Sequence, residues 1–246
     1  MVAPDLSGRL AVVTGSSSSG IGRAFLLALA DAGADVVVHY NESEPAAEET
    51  AEAARERGVD AITVGADVTD PDDVDRSFEA VEIDVGAVDV LVNNVGPFAP
   101  DHWADIDLET WHRVLETNLT GTMLCSKRAL GPMREVEWGR IVNVGYAAAE
   151  RAAVAPENFP YLVAKTGVVM FTRMLAAETR DDGITVNAVS PYVVETSDTF
   201  PEEAPRGRWA READVVRAML VFVDEESGNV SGENVEVDGS WLPEDV

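Results

Sequence analysis

The chain is poor in the residues that build disulfides and metal sites. Among its 246 residues it has one cysteine, Cys125, and three histidines, His39, His102 and His112. A single cysteine excludes an intrachain disulfide and a cysteine-based metal cluster, and it suits a reducing compartment. The histidines are scattered without the spacing of a zinc site, so we expect no metal.

Long apolar runs are missing as well. No stretch approaches the length of a membrane span, and Met1 to Asp5 lack the charged and apolar regions of a signal peptide. We therefore expect a cytoplasmic protein of one α/β domain, residues 1–246, with a core of ordinary size.

Positive charge is scarce, and lysine is scarcest. Asp and Glu number 45 against 18 Lys and Arg, which gives a net charge of −27 and a pI near 4.2. Such a surface disfavours nucleic acid and anionic membranes as partners. The composition resembles that of proteins adapted to very high salt, where short screening lengths make self-repulsion tolerable. The alternative is an acidic protein of an ordinary cytoplasm.

Short apolar segments alternate with helical patterns along the whole chain. This alternation predicts a doubly wound parallel sheet of the Rossmann type, with helices on both faces and right-handed crossovers. The predicted strands are residues 10–13, 35–40, 61–64, 88–92, 140–144, 184–189 and 234–237. One long helix is expected over about Leu108 to Met133, and another carries Tyr161.

A glycine- and serine-rich turn follows the first strand directly. Glycines let the backbone approach a pyrophosphate, and the helix that follows offers free N–H groups and positive potential. Strand, turn and helix in this order predict a dinucleotide site. The residues expected to line it are Gly15, Ser17, Ser18, Ser19, Gly20, Ile21 and Gly22.

The end of the second strand bears on which nicotinamide cofactor is used. An acidic residue there would bind the ribose 2′-hydroxyl of NAD, but the chain has Tyr40 and Asn41. That leaves room for a 2′-phosphate, although no arginine stands nearby in the sequence to hold it. Glu42 and Glu44 are either solvated surface charges or a hindrance to the phosphate. We favour NADP, with NAD as the alternative.

Tyr161 and Lys165 stand four residues apart on a predicted helix, so they share one face. An ammonium beside a phenol favours the phenolate and so produces an acid/base group usable near neutral pH. The alternative is a half-buried tyrosine beside a snorkelling lysine. The chain has only one other lysine, Lys127, against 16 arginines. A lysine placed here therefore favours a catalytic pair.

Taken together, the motifs resemble those of the short-chain dehydrogenase/reductase family, above all the 3-oxoacyl-carrier-protein reductase type. The resemblance spans nearly the whole chain. It rests on the following segments: Thr14 to Gly22, Asp67-Val68, Asn93-Asn94-Val95-Gly96, Asn118, Tyr161-x-x-x-Lys165, Val186 to Pro191, and Ser231 to Gly239.

The resemblance implies hydride transfer between a nicotinamide and a carbonyl or alcohol, with the protein handling the proton. Tyr161 would donate the proton, Lys165 would lower the Tyr161 pKa and bind the nicotinamide ribose, and Asn118 would hold a water that relays protons. The other cofactor contacts that it implies are Asp67 and Val68 for the adenine, Asn93 and Gly96 for the ribose, and Pro191 and Val194. Family members commonly form dimers and tetramers through two long helices, so a homodimer or homotetramer is expected.

Three departures from the family pattern matter. Four serines separate Gly15 from Gly20 where three residues are usual, so the turn must bulge. Tyr146 occupies the slot of the carbonyl-polarising serine, as in enoyl-carrier-protein reductases, and the local string continues to Ala152. Tyr192 replaces a glycine before a shortened substrate lid. These departures keep two alternatives open: reduction of a C=C or C=N bond, and a cofactor-binding regulatory protein without catalysis.

Overall fold

The structure is a computed structural model that describes residues 4–147, 149, 157–197 and 204–240. Its strands are β1 (Leu10–Val13), β2 (Asp35–Tyr40), β3 (Ala61–Gly65), β4 (Val90–Asn93), β5 (Gly139–Val144), β6 (Ile184–Pro191) and β7 (Asn234–Val237). Its α-helices are α1 (Ile21–Asp31), α2 (Glu44–Arg55), α3 (Pro71–Asp84), α4 (Leu108–Leu115), α5 (Gly121–Glu135), α6 (Phe159–Glu178) and α7 (Glu212–Val223).

All seven strands pair in parallel, in the order β3-β2-β1-β4-β5-β6-β7. The predicted doubly wound sheet is confirmed. The order reverses between β1 and β4, and in such sheets ligands bind beyond the carboxyl ends of the strands at this switch point. The loops after β1 and β4 therefore define where a site is to be sought.

Each face of the sheet carries its own apolar core. Phe25 and Leu29 of α1 and Met219 of α7 pack on one face. Phe78 of α3 and Met133 of α5 pack on the other. Because both faces are covered, central strands such as β1 are buried along their entire length. This explains the short, fully apolar runs in the sequence.

The predicted helix from Leu108 to Met133 is interrupted. The chain follows α4 only to Leu115, passes through a π-helical turn at Glu116–Thr120, and continues as α5 to Glu135. A π-turn contains an extra residue and is frequent at functional sites. Here the turn contains Asn118, whose side chain is fully buried.

Within the part of the chain described, no helix combines the length and the apolarity that crossing a bilayer requires. In the same residues, no group of three or more His, Cys, Asp or Glu side chains is arranged to hold a metal ion.

Candidate active site

Asn94 joins the loops that follow β1 and β4. Its Nδ2 donates to the carbonyl oxygens of Thr14 (3.0 Å) and Gly15 (3.2 Å). In return, the Thr14 hydroxyl oxygen accepts from the backbone N–H groups of Asn94 (2.9 Å) and Val95 (3.2 Å). The two loops at the switch point are therefore one rigid unit. The sequence prediction assigned Asn93 to the site and gave Asn94 no role.

The glycines of the turn are required for different reasons. A β-carbon on Gly22 would lie 2.5 Å from Asn94 Nδ2 and from the Gly15 carbonyl, so only glycine allows α1 to approach the loop. Gly15 has φ +65°, which favours glycine. Nothing lies within 4 Å of a β-carbon placed on Gly20, so the space above it is open to a ligand.

The extra serine is accommodated because Ser16 turns inward. Its side chain is fully buried, and its hydroxyl donates to the Val13 carbonyl (2.8 Å) and accepts from the His39 amide (3.3 Å). The Ser16 amide donates to the His39 carbonyl, which extends the contact between β1 and β2 by one step. Ser16 therefore belongs to the sheet, and only the three serines after it form the exposed bulge.

The His39 side chain accepts a hydrogen bond from this turn. Its Nδ1 accepts the Gly15 N–H at 3.1 Å, and its Nε2 has no hydrogen-bond partner among the described residues. Burial lowers the pKa of His39 to about 4, and the nearby Ala66 carbonyl and the Asp67 and Asp73 carboxylates offset only part of this effect. The imidazole is therefore neutral at physiological pH and acts as an acceptor.

The first turn of α1 has unused N–H groups. Gly20 precedes the helix without a side-chain cap, and the first turn contains no acidic residue. Uncapped amides at a helix start form a ready site for a phosphate. The residues of the bulge most exposed beside these amides are Ser18 and Ser19.

Arg23 lies beside this turn and was missed from the sequence. Its Nε donates to Thr50 Oγ1 (3.0 Å), and the Thr50 hydroxyl donates to the Ser17 carbonyl (3.0 Å). Among the described residues, Arg23 has no ion pair with a carboxylate. The sequence gave no signal for it, because Thr50 lies 27 residues away on α2.

Several residues predicted to bind the adenosine of the cofactor already contact other groups of the protein. The Tyr40 ring covers Gly65, where a β-carbon would lie 3.0 Å from it, and Asn41 is exposed next to it. Asp67 Oδ1 accepts from the Thr69 amide and hydroxyl, so one carboxylate oxygen caps a local turn. Val68 is buried against Gly121, which leaves only its backbone for a ligand.

The Asn93 side chain points into the protein. Its Nδ2 donates to Asn143 Oδ1 (2.8 Å) and to the Ser126 hydroxyl (3.0 Å), and Asn143 in turn donates to Thr172 (2.9 Å). This buried network links β4 and β5 to α5 and α6. A contact from Asn93 to the cofactor ribose would therefore have to come from its backbone.

Tyr161, Lys165 and Asn118 are brought together and all three are buried. Lys165 Nζ lies 5.5 Å from the centroid of the Tyr161 ring and donates to the Val144 carbonyl at 2.6 Å. A β-carbon on Gly96 would collide with Asn118 Oδ1 and lie 3.1 Å from Lys165 Nζ. Because Gly96 has no side chain, the Asn118 amide and the Lys165 amine can both approach its backbone.

The π-turn fixes the orientation of Asn118. Its Nδ2 donates to the carbonyls of Val114 (2.9 Å) and Pro97 (3.1 Å), while its Oδ1 is buried without a hydrogen-bond partner among the described residues. A buried acceptor left unpaired is costly and marks a place for a missing donor. This acceptor lies beside the Lys165 amine.

The pKa values within this group differ from the prediction. Burial, with a smaller contribution from Tyr146, raises the pKa of Tyr161, and burial lowers the pKa of Lys165 to about 7. The expectation that Lys165 lowers the Tyr161 pKa stays a prediction, because in this structure the effect of burial on the Tyr161 pKa is the larger one. The reason is desolvation, which disfavours both the phenolate and the ammonium. Tyr161 is a protonated acid here.

Aromatic rings surround the Tyr161 phenol. Tyr146 packs edge-on to it with centroids 5.5 Å apart, Phe98 lies at 4.5 Å, and Tyr192 lies 5.7 Å from Tyr146. Burial, with a smaller contribution from Tyr192, raises the pKa of Tyr146. Three of the four tyrosines of the chain are therefore gathered at this point.

Pro191 and Val194 also lie at this edge of the sheet, and both are buried. The Val194 amide donates to the Ser197 hydroxyl (3.1 Å), and its carbonyl accepts from the Ser197 amide. Of the predicted features, residues 148 and 150–152 of the string after Tyr146 and part of the substrate lid, residues 198–203, lie outside the described residues.

Comparison with known proteins agrees with this geometry. Residues 15–241 match the sequence model of a family described as enoyl-(acyl carrier protein) reductase. The chain is 33% identical to a 3-oxoacyl-[acyl-carrier-protein] reductase of Aquifex aeolicus, over 96% of this chain and 98% of that protein. It is 37% identical to a cis-4-hydroxycyclohexanecarboxylate dehydrogenase of Sinomonas cyclohexanicum, over 95% and 96%.

A solved structure gives the same result. The gluconate 5-dehydrogenase of Burkholderia cenocepacia, in complex with NADP and tartrate, superposes with a TM-score of 0.87 at 28% identity, over 95% of both chains. The sequence model, the relatives and the solved structure therefore point to the same fold and family. The chain belongs to the short-chain dehydrogenase/reductase family and is an NAD(P)-dependent oxidoreductase that acts on carbonyl or alcohol substrates.

Proposed function

We propose that the protein reduces a ketone, 3-oxoacyl-like or another small ketone, to the alcohol, with Tyr161 as the proton donor. The observation that carries this proposal is the convergence of the Tyr161 phenol, the Lys165 amine and the unpaired Asn118 Oδ1 around Gly96. Reduction is favoured over oxidation because burial raises the pKa of Tyr161 and so keeps the phenol protonated, the form that a proton donor needs.

Each group has a distinct task. The hydride to the carbonyl carbon would come from NADPH when it is bound. Tyr161 gives its proton to the carbonyl oxygen and is then a buried phenolate, which a protonated Lys165 beside it stabilises. With a pKa of about 7, Lys165 can gain and lose a proton near neutral pH. Asn118 Oδ1 accepts a hydrogen bond from the donor that delivers the replacement proton.

The residues present fit a dinucleotide. The uncapped start of α1 and the open space above Gly20 accept a pyrophosphate. Lys165 and Asn118 lie one loop away, beyond Gly96, where the nicotinamide ribose would come within reach of the amine. Pro191 and Val194 lie at the end of β6, toward the nicotinamide end, where their backbone groups already bond Ala147 and Ser197.

We assign NADP as the preferred cofactor, and Arg23 as the cation for its 2′-phosphate. A cation in the first turn of a helix is unfavourable unless an anion lies near it. Arg23 has no carboxylate partner among the described residues, although the chain has 45 acidic side chains. The hydrogen-bonded path through Thr50 to Ser17 holds it at the edge of the bulge.

Arg23→Gln tests this assignment by fluorescence titration with NADPH and NADH. We expect the NADPH Kd to rise about tenfold, the loss of one charge-assisted contact, with the NADH Kd unchanged. Arg180→Gln is the control, because Arg180 is exposed and, among the described residues, forms an ion pair only with its neighbour Asp181. Equal weakening of both cofactors in Arg23→Gln would contradict the assignment.

Tyr161→Phe tests the proton donor. The variant should bind NADPH normally and lose at least about a hundredfold in kcat for ketone reduction, the contribution expected of a general acid. Near-full turnover would refute the role of Tyr161. If neither cofactor binds the wild-type protein, the alternative of a regulatory protein without catalysis is favoured instead.

A second candidate function is reduction of a C=C bond. It is supported by Tyr146 in the serine position and by the description of the matching family as enoyl-(acyl carrier protein) reductase. We rank it second because Tyr161 and Lys165 have the spacing of the carbonyl-reducing type. NADPH oxidation with matched 3-oxoacyl and enoyl thioesters separates the two, since the preferred substrate should exceed the other in kcat/KM.

We also propose that the protein is a homo-oligomer associated through the outer side of α6. Val168 and Val169 are buried in the core, but Val163, Met170 and Met174 are exposed on the same helix. Large apolar side chains in a row on a surface mark an interaction site. Met174→Glu should lower the mass measured by light scattering, whereas an unchanged mass would contradict the use of this surface.

A further inference from the structure

Tyr146 and Tyr192 are brought together by two neighbouring strands. Tyr146 follows β5 after one residue, and Tyr192 follows β6 directly. The strands pair in register, Val144 opposite Val189, and the Ala147 amide donates to the Pro191 carbonyl at 3.0 Å. The two phenols therefore emerge side by side, with ring centroids 5.7 Å apart.

A tyrosine in place of serine puts the hydroxyl oxygen farther from the backbone. The serine hydroxyl lies one bond from Cβ, whereas the phenol oxygen lies beyond the whole ring, and small rotations displace it widely. Catalytic geometry tolerates little of this freedom. At Tyr146 the freedom is restricted on two sides, by edge-on packing against Tyr161 and by the Tyr192 ring, whose centroid lies 5.7 Å away.

The two phenols also influence each other's ionisation. Tyr192 adds to the larger effect of burial, which raises the pKa of Tyr146. When a substrate oxygen is present, the Tyr146 proton can turn toward it while the Tyr192 hydroxyl donates to the Tyr146 oxygen. A chain of two hydroxyls polarises the last donor and strengthens its bond.

We propose that Tyr192 is a positioning residue: it holds the Tyr146 hydroxyl beside Tyr161, and that hydroxyl donates the hydrogen bond that polarises the substrate carbonyl. This inference rests on the proposed carbonyl reduction. The proposal links the two departures from the family pattern: Tyr146, which replaces serine, depends on Tyr192, which replaces glycine. Tyr192 acts through Tyr146 and makes no step of its own.

A double-mutant cycle in ketone reduction tests the coupling. Tyr146→Phe should lower kcat about a hundredfold, the effect of losing one oxyanion donor. Tyr192→Phe keeps the ring and should lower kcat about tenfold, with KM and the NADPH Kd nearly unchanged. In the Tyr146→Phe background, Tyr192→Phe should have no effect beyond about twofold. Equal effects in both backgrounds, or none in the wild type, would overturn the proposal.

A second pair of variants keeps the test independent of ring packing. Tyr192→Gln retains a group that can bond the Tyr146 hydroxyl, and Tyr192→Leu is of similar size without one. The glutamine variant should keep kcat closer to the wild type, and equal kcat values would count against positioning. If Tyr161→Phe is inactive while every Tyr192 variant matches the wild type, the proposed function stands and only the role of Tyr192 fails.

Discussion

His39 makes the stability of the cofactor turn depend on pH, and the effect can be calculated. Burial lowers its pKa from an ordinary value near 6.5 to about 4. Between these values the unfolded chain binds a proton at His39 and the folded chain does not, so the unfolding free energy falls as the pH falls. The stabilisation is complete above about pH 6.5 and lost on acidification to about pH 4.

The size of the effect follows from the distance between the two pKa values. At about 1.4 kcal/mol per pH unit, the proton linkage of His39 amounts to about 3 kcal/mol. Its structural origin is the burial of the imidazole, whose Nδ1 accepts the Gly15 N–H at 3.1 Å. A proton on Nδ1 would face the Gly15 N–H, and two donors cannot bond each other. The turn must therefore open before His39 can take up a proton.

His39→Asn isolates this linkage, because an amide oxygen can still accept from Gly15 but does not titrate. Urea unfolding of both proteins is measured from about pH 7 to about pH 4 at constant molar KCl, so that carboxylate titrations common to both cancel. The difference between their unfolding free energies should change by about 3 kcal/mol. A difference constant to within about 0.5 kcal/mol would refute the reasoning. His112→Asn, at an exposed position on α4, is the control.

Three further predictions concern the site and the surface. Gly96→Ala should lower kcat at least tenfold by pushing Asn118 and Lys165 apart, while Gly131→Ala, where an added β-carbon meets nothing within 4 Å, should raise the unfolding free energy by about 0.5–1 kcal/mol. Asn94→Ala, which removes two hydrogen bonds between the β1 and β4 loops, should cost about 2 kcal/mol in urea unfolding and weaken NADPH binding; unchanged values would show that the loops hold without it. The melting temperature and activity should rise with molar KCl because salt screens a net charge of −27, and a protein fully folded and active in salt-free buffer would contradict salt adaptation.

The sheet could be predicted almost completely because its signal is local. Strands buried on both faces give short apolar runs such as Leu10 to Val13, and glycines mark their ends. The predicted bounds of β1, β2 and β7 agree with the structure, and those of β3, β5 and β6 differ by a few residues at their ends. The bounds of β4 differ at both ends, because Val88 and Asp89 precede the paired segment.

The interrupted helix could not be predicted from periodicity. One extra residue in the turn Glu116–Thr120 rotates everything after it by about 100° about the helix axis. The polar and apolar positions on either side remain compatible with a continuous helix, so the sequence pattern does not reveal the insertion. Only the contacts of Asn118 with Val114 and Pro97 do so.

The site was predicted in its chemistry and less well in its contacts. Tyr161, Lys165 and Asn118 converge, because motif spacing carries this information. Arg23, Asn94 and Tyr192 were not given roles, since their partners are distant in sequence. The direction of the Tyr161 pKa depends on how many atoms surround the phenol, and burial of that degree is a property of the packed structure.

Because lysine is scarce, chemical labelling of lysine can report on the active site. Lys165 is buried with a pKa of about 7, so near neutral pH much of it is the nucleophilic free amine, while Lys127 is exposed on α5. A small amine-directed reagent therefore has two lysines to modify, one at the reaction centre and one on the surface. The ratio of label on the two, read by peptide mass spectrometry, would report cofactor occupancy in a single sample, with Lys127 as the internal reference.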